Sequence, residues 1–532
     1  MKKKRNPERS FVITLVLIVF LVVLVRNAWV TDDAFITFRT IENFINGYGM
    51  VYNIGQRVQA FTHPLWMLML TSIYYLVLQL FGTPFWGGLY YLSIFLSIVL
   101  TMGAVSLLAM MIARGVKPAL LSALVLLCSK AFIDYSTSGL ENPLTNFLLV
   151  LFILVSFIEK VADWKRLFLL SMIASLMTLN RFDTLLLVLP LLLYHAWRSK
   201  LRWRTLLWLG LGFTPFVLWE LFSLFYFGFP FPNTAYAKLN TGIAQVELNR
   251  QGVLYLLNSV NIDPLTLMMI AFGLVLPVVT RKREYLPMSI GGILYLIYVV
   301  HIGGDFMSGR YLSAPLLLAM LVLSQYDTHI SHNHTFILVL VLAIGLLSPC
   351  SPILSNAEYG YGVINYRQVT DENRITDERA FYYQSQGLLL TRRGEDRLAG
   401  RWVWGGWRVS QSQPTVRVIN SIGRNGYRLG PDVHIVDYAA LADPLLSKLP
   451  VKNLDNWVIG HFNRSLPLGY LDSLETGENM IEDPDLHIYY DKLSYVISGA
   501  LWEKGRIIEI WKLNTGQYDH LIDKYVQRQR EN

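Results

Sequence analysis

Charged residues are scarce in this sequence. Lys, Arg, Asp and Glu make up 16% of the 532 residues, whereas soluble domains carry about 25%. Two cysteines occur, Cys128 within a hydrophobic run and Cys350 just after the last one, so neither a disulfide framework nor a cysteine metal site follows. The sequence also lacks a glycine-rich nucleotide-binding loop, an internal repeat and a low-complexity linker. These absences argue against a nucleotide-dependent soluble enzyme.

Hydrophobic residues are abundant and are gathered into long runs. They form 53% of the chain, and apolar runs of roughly 15 to 20 residues, long enough to cross a bilayer when extended at their ends, recur up to residue 350. We expect an α-helical polytopic membrane protein with about eleven transmembrane helices. The predicted spans are 11–30, 85–112, 119–133, 144–157, 167–180, 184–197, 206–226, 263–280, 285–302, 311–326 and 335–347.

The positions of Lys and Arg predict the orientation of these spans. Basic residues follow every second hydrophobic run, and such residues favour the cytoplasmic side. This bias holds only if the apolar segment 64–81 does not cross, so we expect an interfacial or re-entrant helix there. The first span is expected to be retained, with a cytoplasmic N-terminus in a bacterial cytoplasmic (inner) membrane. The net charge of +8 is then explained by membrane topology and not by nucleic acid.

The same orientation places the remaining loops and the C-terminal tail on the outer, periplasmic face. We expect a transmembrane domain over residues 1–350, which includes a first outer loop at 31–82, and a periplasmic soluble domain over 351–532. The tail has short β-branched runs at 416–419 and 433–436 and a predicted helix at 439–449. An α/β or α+β domain is therefore expected.

Two adjacent carboxylates follow the first predicted span. Asp32 and Asp33 lie where the chain leaves the membrane, and a carboxylate in a partly dehydrated cleft is suited to accept a proton from a hydroxyl. Alternatively, the pair caps the helix that begins at Ala34 and stabilises its dipole. From position alone, the two interpretations are equally good.

The outer loops carry cations that the topology rule does not explain. They are Arg39, Arg57, His63, Arg181, Lys238, His301 and Arg310. A lipid-linked phosphate at headgroup depth explains the cluster, because Arg binds phosphate in a bidentate manner. The alternatives for each single residue are an ion pair with Asp32, Asp33, Glu141, Asp183 or Asp305, or snorkelling to ordinary headgroups. No zinc site is indicated, whereas two or three of these carboxylates are compatible with Mg²⁺ or Ca²⁺.

Two aromatic segments lie in the outer regions. The segment 229–238 combines Phe, Pro and Tyr and is typical either of a sugar or prenyl pocket or of an interfacial aromatic belt. In the tail, Trp402, Trp404 and Trp407 favour core packing over stacking on sugar rings.

Several blocks resemble a known family. The run from Thr31 to Arg39, the segments 46–53 and 61–66, and the blocks 138–144, 181–183, 232–238 and 303–311 are similar to the outer loops of GT-C class, polyprenyl-phosphate-dependent membrane glycosyltransferases. More narrowly, the chain resembles the terminal β-(1→2) arabinofuranosyltransferases of mycobacteria and their bacterial relatives. Blocks 430–433, 441–445, 459–461 and 464–470 in the tail resemble them too. Phe182 departs from the pattern, which has Pro at this position.

The resemblance implies a reaction and a set of site residues. A sugar, by inheritance from the family a pentofuranose, would pass from a polyprenyl-phosphate donor to a glycan acceptor on the outer face with inversion. Asp33 or Asp32 would be the general base. The candidate donor-phosphate ligands are Arg181, Lys238, Arg310 and His63, and the candidates for orienting the sugar or the cations are Asp183, Asp305, Glu141 and Arg39.

Two other functional classes use similar features. A transporter or flippase for lipid-linked sugars also needs many spans and charged outer loops, although no inverted repeat is visible in this sequence. A non-catalytic cell-envelope assembly factor that kept the fold is the third possibility. Substitution of the candidate base separates these classes, because only an enzyme depends on it.

Overall fold

The computed structural model describes residues 7–82, 88–159, 161–199, 203–239, 241–326, 333–355, 359, 365–390 and 415–531. The predicted tryptophan-rich stretch 401–407 lies outside this set. Helices dominate the described residues, and two short strands, β1 (Thr415–Val418) and β2 (Val433–Val436), pair in parallel with Thr415 opposite Val433. The strands lie at the two β-branched runs of the tail.

The α-helices of the first half are α1 (Pro7–Asn27), α2 (Asp32–Ile45), α3 (Pro64–Phe81), α4 (Leu89–Leu107), α5 (Val116–Cys128), α6 (Lys130–Asp134), α7 (Asn142–Phe157), α8 (Asp163–Asn180), α9 (Leu185–Arg198), α10 (Trp203–Gly212), α11 (Thr214–Tyr226) and α12 (Asn233–Leu239). Those of the second half are α13 (Gln245–Ile262), α14 (Pro264–Val279), α15 (Leu286–His301), α16 (Ser313–Leu323), α17 (Asn333–Leu347), α18 (Glu378–Gln386), α19 (Arg424–Leu429), α20 (Tyr470–Thr476), α21 (Pro484–Ser498), α22 (Lys504–Asn514) and α23 (Asp519–Glu531).

Several helices are long and apolar enough to cross a membrane. By length and composition these are Ser10–Asn27, Pro64–Phe81 and Leu89–Ile112, and the described residues give up to five spans if the bent pairs α10–α11 and α13–α14 each count as one. The fold thus fits a helical membrane protein, but the predicted count of eleven is not confirmed. The shortfall has a physical reason: α7, α15 and α16 have 16, 16 and 11 residues, which at 1.5 Å per residue fall short of a bilayer core of about 30 Å. An interfacial or re-entrant α3 stays a prediction.

Packing divides the chain into two compact units, each built from distant segments. Unit 1 comprises Met1–Thr31, Tyr90–Phe216 and Gln245–Arg392, and unit 2 comprises Asp32–Leu89, Val217–Ala244 and Arg393–Asn532. The predicted division of the chain at residue 350 stays a prediction.

Unit 1 is built around α16, in which every residue is buried. This helix packs against α14, α7 and α15. Glycines permit the close approach: a Cβ on Gly273 of α14 would lie 2.6 Å from the Ala319 Cβ, and one on Gly291 of α15 would lie 2.2 Å from the Leu187 carbonyl oxygen of α9. Small residues at helix crossings are typical of membrane bundles, where van der Waals packing drives association.

Unit 2 combines the small sheet, the C-terminal helices and α2, α3 and α12. Its core contains an apolar cluster around Leu446, Tyr470, Leu493 and Val496. The predicted helix at 439–449 is wrong. The Asp437 carboxylate accepts bonds from the N–H groups of residues 441 and 442 instead, and only a 3-10 turn, Leu446–Lys448, forms. Asp side chains compete with helices in this way.

Buried arginines hold unit 2 together through backbone carbonyls. Arg39 is 0% exposed and donates to the carbonyls of Tyr52, Gly426 and Val433, while its guanidinium lies 4.7 Å from the centre of the Tyr52 ring. Arg506 is also fully buried and donates to three carbonyls. Such charge-assisted bonds satisfy loop carbonyls that would otherwise be buried without partners.

We expect the buried Glu42 to make unit 2 less stable as the pH rises. Glu42 is 2% exposed and accepts hydroxyl bonds from Tyr74 and Tyr427, and burial raises its pKa to about 7. The unfolded chain releases this proton near pH 4.5, so the unfolded state binds fewer protons between about pH 4.5 and 7, and stability falls across that window. Above pH 7, Glu42→Gln should therefore raise the free energy of unfolding by up to about 3 kcal/mol.

The measurement is the thermal midpoint of the full chain in a mild detergent, followed from pH 5 to 8. Glu475→Gln, at an exposed position of unit 2, is the matched control and should leave the pH profile unchanged. A wild-type midpoint that rises through pH 7, or a Gln variant with the wild-type profile, contradicts the expected role of Glu42.

Candidate active site

Asp32 begins α2 and is held on all sides by the C-terminal part of the chain. One carboxylate oxygen accepts bonds from the Ser421 hydroxyl at 3.0 Å and the Gly423 N–H at 3.1 Å, and the other accepts from the Arg424 N–H at 2.9 Å. Burial raises the pKa of Asp32, and the bonds from Arg424, Ser421 and Gly423 oppose that rise. A carboxylate occupied in this way positions a loop and is poorly placed to accept a further proton from a substrate.

Glycine is required where this loop meets α2. A Cβ on Gly423 would lie 1.9 Å from the Asp32 carbonyl oxygen, a distance that no side chain tolerates. Asp32 thus anchors the segment that leads into α19.

Asp33 lies one residue further along α2 and is half-buried. Successive residues of a helix point about 100° apart, so the two carboxylates do not share one environment. The Asp32 carboxylate binds residues 421, 423 and 424, and a catalytic role for either member of the pair stays a prediction.

In unit 1, five predicted site residues meet in one cluster, which we call the Arg181–Arg310 cluster. Its members are Glu141, Arg181, Asp183, Asp305 and Arg310. Arg181 forms a bidentate pair with Asp183, at 2.9 Å and 2.6 Å, and reaches Glu141 at 3.0 Å. Arg310 contacts the same Glu141 oxygen at 3.3 Å and Asp305 at 3.4 Å. Glu141 therefore bridges two arginines from different parts of the chain.

Short local structures position the members of this cluster. Arg181 follows the end of α8, and a 3-10 turn, Phe182–Thr184, brings Asp183 back onto it. Phe182, which departs from the family pattern, packs edge-on against Phe216 at 5.6 Å. Asn180 donates to the Glu141 carbonyl and thereby ties the α8–α9 loop to the start of α7.

Tyrosines surround the charged groups. The Tyr295 hydroxyl donates to Asp183 at 3.1 Å, the Arg181 guanidinium lies 4.5 Å from the centre of the Tyr311 ring, and the Tyr255 hydroxyl accepts from the Tyr311 N–H at 3.0 Å. The arginines are 10% exposed at their side chains. Two arginines against three carboxylates leave one net negative charge. The carboxylates therefore offer acceptors to the hydroxyls of a ligand, whereas an anion reaches a guanidinium only in place of one of these carboxylates.

The carboxylates of the cluster do not fit the predicted divalent cation. Each of them faces a guanidinium, and no group of three or more His, Cys, Asp or Glu side chains within the described residues has the geometry of a metal site. No reaction step is therefore routed through a metal here.

The other predicted site residues lie in unit 2. Arg39 was expected to orient the sugar or the cations, but its guanidinium is buried against three backbone carbonyls, and we assign it a structural role. His63 is 4% exposed and its Nε2 lies 2.8 Å from the Thr37 hydroxyl. Lys238, in contrast, is exposed on α12.

A cleft in unit 2 contains the aromatic segment singled out in the sequence. Phe229, Phe231 and Tyr236 line it together with Arg57 and Lys448. The Lys448 ammonium lies 3.3 Å from the centre of the Tyr236 ring and 4.3 Å from that of Phe229, and no carboxylate of the described residues lies within 4 Å of it. Burial lowers the pKa of Lys448 to about 7, against the opposing charge of Asp519.

Lys448 and the cluster tyrosines were not predicted from the sequence. Lys448 lies within a stretch predicted to be helical, and nothing local distinguishes it from a surface lysine. Tyr295 and Tyr311 lie in predicted spans and Tyr255 lies in a predicted outer loop, where tyrosine usually indicates a membrane interface.

Comparisons with known proteins agree with the resemblance of the motifs. No family model matches the chain, and no solved structure is significantly similar to it. The chain is 28% identical over 337 residues to the terminal beta-(1->2)-arabinofuranosyltransferase of Mycobacterium tuberculosis (strain ATCC 25618 / H37Rv), which covers 55% of this chain and 51% of the relative. It is 26% identical over 353 residues to the protein of the same name from Corynebacterium glutamicum, which covers 57% and 48%. The chain thus matches about half the length of these curated relatives, and both are glycosyltransferases by name.

Proposed function

We propose that the protein is a membrane glycosyltransferase of the GT-C class. It transfers a sugar, a pentofuranose by analogy with its relatives, from a polyprenyl-phosphate donor to a glycan acceptor. The reaction takes place on the outer face of the bacterial cytoplasmic membrane. The names of the relatives support the reaction class, and the apolar helices support a donor that resides in the bilayer.

The observation that carries the proposal is the Arg181–Arg310 cluster, in which five predicted site residues meet. For the general base we assign Asp33, at the start of α2, because the carboxylate of Asp32 already accepts hydrogen bonds from Ser421, Gly423 and Arg424. It takes the proton from the acceptor hydroxyl as that oxygen forms a bond to the anomeric carbon of the donor.

The bond between the anomeric carbon and the polyprenyl phosphate breaks in the same step. Attack from the face opposite to the leaving group inverts the anomeric configuration. The leaving group departs as a phosphate monoester, which needs stabilisation of its negative charge but no external acid of low pKa.

In unit 1, Arg181 and Arg310 are the proposed ligands of the donor phosphate. Glu141, Asp183 and Asp305 hold them rigidly, so the guanidinium groups are preoriented without reorganisation on binding. The same carboxylates offer acceptors to the hydroxyls of the sugar. In unit 2, His63 and Lys238 remain proposed contacts of the donor.

The exposed face of Phe231 is the proposed contact for the acceptor glycan. Phe231 is 46% exposed at the edge of the cleft around Tyr236, and aromatic faces are typical of sugar sites. The cleft itself measures about 10 Å³, which is room for no more than a water molecule.

Replacement of the two carboxylates should have different effects. We expect Asp33→Asn to lower kcat at least about 100-fold, because loss of a general base costs roughly 10² to 10⁴ in rate. Asp32→Asn should instead destabilise the protein by about 1–3 kcal/mol, because an amide cannot accept all three bonds. The assay is transfer of a radiolabelled pentofuranose from a synthetic polyprenyl-phosphate donor.

The reverse pattern would identify Asp32 as the base. Full activity of both variants would rule out the proposed mechanism and favour a transporter or an assembly factor.

Arg181→Lys should raise the KM for the donor. Lysine retains the charge but cannot form the bidentate pair with Asp183, so we expect kcat/KM for the donor to fall about 10- to 100-fold. Arg379→Lys is the matched control, because Arg379 is also buried in unit 1 and bonds to Asn27. The control should lose stability without a change in donor KM, and equal kinetic effects of both substitutions would assign the cluster a purely structural role.

Phe231→Ala should weaken acceptor binding. Loss of one stacking face is expected to raise the acceptor KM several-fold, about 0.5–1.5 kcal/mol in binding, with donor KM unchanged. Trp502→Ala removes an aromatic side chain that is 83% exposed elsewhere in unit 2 and should change neither constant. Kinetics with acceptor oligosaccharides of increasing length provide the measurement. An unchanged acceptor KM for Phe231→Ala would exclude Phe231 as a contact of the acceptor.

A further inference from the structure

A second polar site lies in unit 1, at the far end of the hairpin formed by α8 and α9. It is a cleft of about 170 Å³ lined by Asp163, Arg166 and Leu167 from the start of α8 and by His195, Arg198 and Ser199 from the end of α9. That volume is several times the roughly 30 Å³ that a water molecule occupies. The cleft can therefore accept a group larger than solvent.

The cleft is a full helix length away from the Arg181–Arg310 cluster. Arg181 follows the last residue of α8, whereas Asp163 is its first, and 18 residues span about 27 Å. This is close to the hydrocarbon thickness of a bilayer, about 30 Å. If the Arg181 loop lies at the outer leaflet, the cleft lies at headgroup depth in the inner leaflet.

The polar groups of the cleft are positive and incompletely bonded. Arg166 donates to the Ile158 carbonyl at 2.6 Å and lies 3.7 Å from Asp163, but its Nε is buried without a hydrogen-bond partner in the described part of the chain. The His195 Nε2 is buried and unbonded in the same way. Arg198 is exposed and contacts the Tyr194 ring at 5.8 Å. Two arginines and one aspartate line the cleft, so a bound anion balances the excess positive charge.

Aromatic and apolar side chains around the cleft are typical of a lipid interface. Trp197 is 68% exposed and Trp203 is 69% exposed, while Trp164 packs against Trp208 with ring centres 4.8 Å apart and ring planes tilted by 32°. Further along the hairpin, Leu193 is 56% exposed. Tryptophans are enriched at the level of headgroups, with apolar side chains facing the acyl chains.

We propose that this cleft binds the phosphate of an anionic phospholipid in the inner leaflet. The guanidinium of Arg198 and the free side of Arg166 contact the phosphate oxygens, and His195 donates at the base of the cleft. The surrounding tryptophans contact the glycerol region and the acyl chains. Basic pockets between helices on the cytoplasmic side bind anionic headgroups by this chemistry. The proposal depends on the α8–α9 hairpin crossing the bilayer and is independent of the catalytic assignment.

The test measures lipid binding by the full-length protein. Native mass spectrometry and the thermal midpoint are followed in phosphatidylcholine nanodiscs as phosphatidylglycerol is added. The wild type should retain one tightly bound phosphatidylglycerol and show a saturable rise in the midpoint. Arg198→Gln should lower the affinity about tenfold, the loss expected for one charge-assisted hydrogen bond, without lowering the midpoint in pure phosphatidylcholine.

Arg204→Gln is the matched control. Arg204 is exposed on α10 and contacts the Trp203 ring at 5.5 Å, but it does not line the cleft. Equal losses in both variants would show a general surface-charge effect and overturn the proposal, as would absence of a saturable shift in the wild type. A rise in the thermal midpoint of the same size with inorganic phosphate alone would assign the cleft to a soluble anion and overturn the proposal of a lipid ligand.

Discussion

Burial of charge in an apolar helical protein depends on fixed partners, and Glu141 is the partner on which unit 1 depends. Its carboxylate is 0% exposed and joins Arg181 to Arg310, which are 129 residues apart (310 − 181). Removal of one member of such a group leaves an uncompensated buried charge, which costs about 3–5 kcal/mol. The end of α8, the start of α7 and the turn that leads into α16 are therefore held in one arrangement, and any ligand of these arginines meets a site that already exists.

In the described part of unit 2, buried arginines bond to backbone carbonyls and not to carboxylates. Its loops carry many backbone carbonyls, and Arg39, Arg464 and Arg506 satisfy them from within. A guanidinium has five donors in a plane and cannot lose its proton in a protein, which suits it to bridge several loops at once. The two arginines of the Arg181–Arg310 cluster thus face carboxylates, whereas these buried arginines of unit 2 bond to backbone carbonyls.

The sequence selected residues that the structure brings together, whereas their roles stay predictions. Arg181 and Arg310 were selected as unexpected cations on the predicted outer side of the membrane, and both contact Glu141. The same rule also selected Arg39, which is structural. Nothing in a single sequence distinguishes the two, because the difference depends on which loops fold against the side chain. Asp32 and Asp33 were inseparable for the same reason: the groups that occupy Asp32 come from residues 421–424.

Short sequence patterns predicted secondary structure correctly where interactions within the segment itself determine it. The β-branched runs formed strands, whereas the apparent helix at 439–449 failed because Asp437 and Asp443 bond to N–H groups that a helix would use. The predicted count of spans is not confirmed for the short helices, among which every residue of α16 is buried.

The bonds to Asp32 also set an order of events during biosynthesis. Its partners Ser421, Gly423 and Arg424 follow it by 389, 391 and 392 positions. At ribosomal speeds of about 5–20 residues per second, roughly 20–80 s separate the emergence of the carboxylate from that of its partners. During this interval α2 has left the ribosome without the segment that completes it, so the nascent chain passes through a stage in which chaperones or the insertion machinery must shield it.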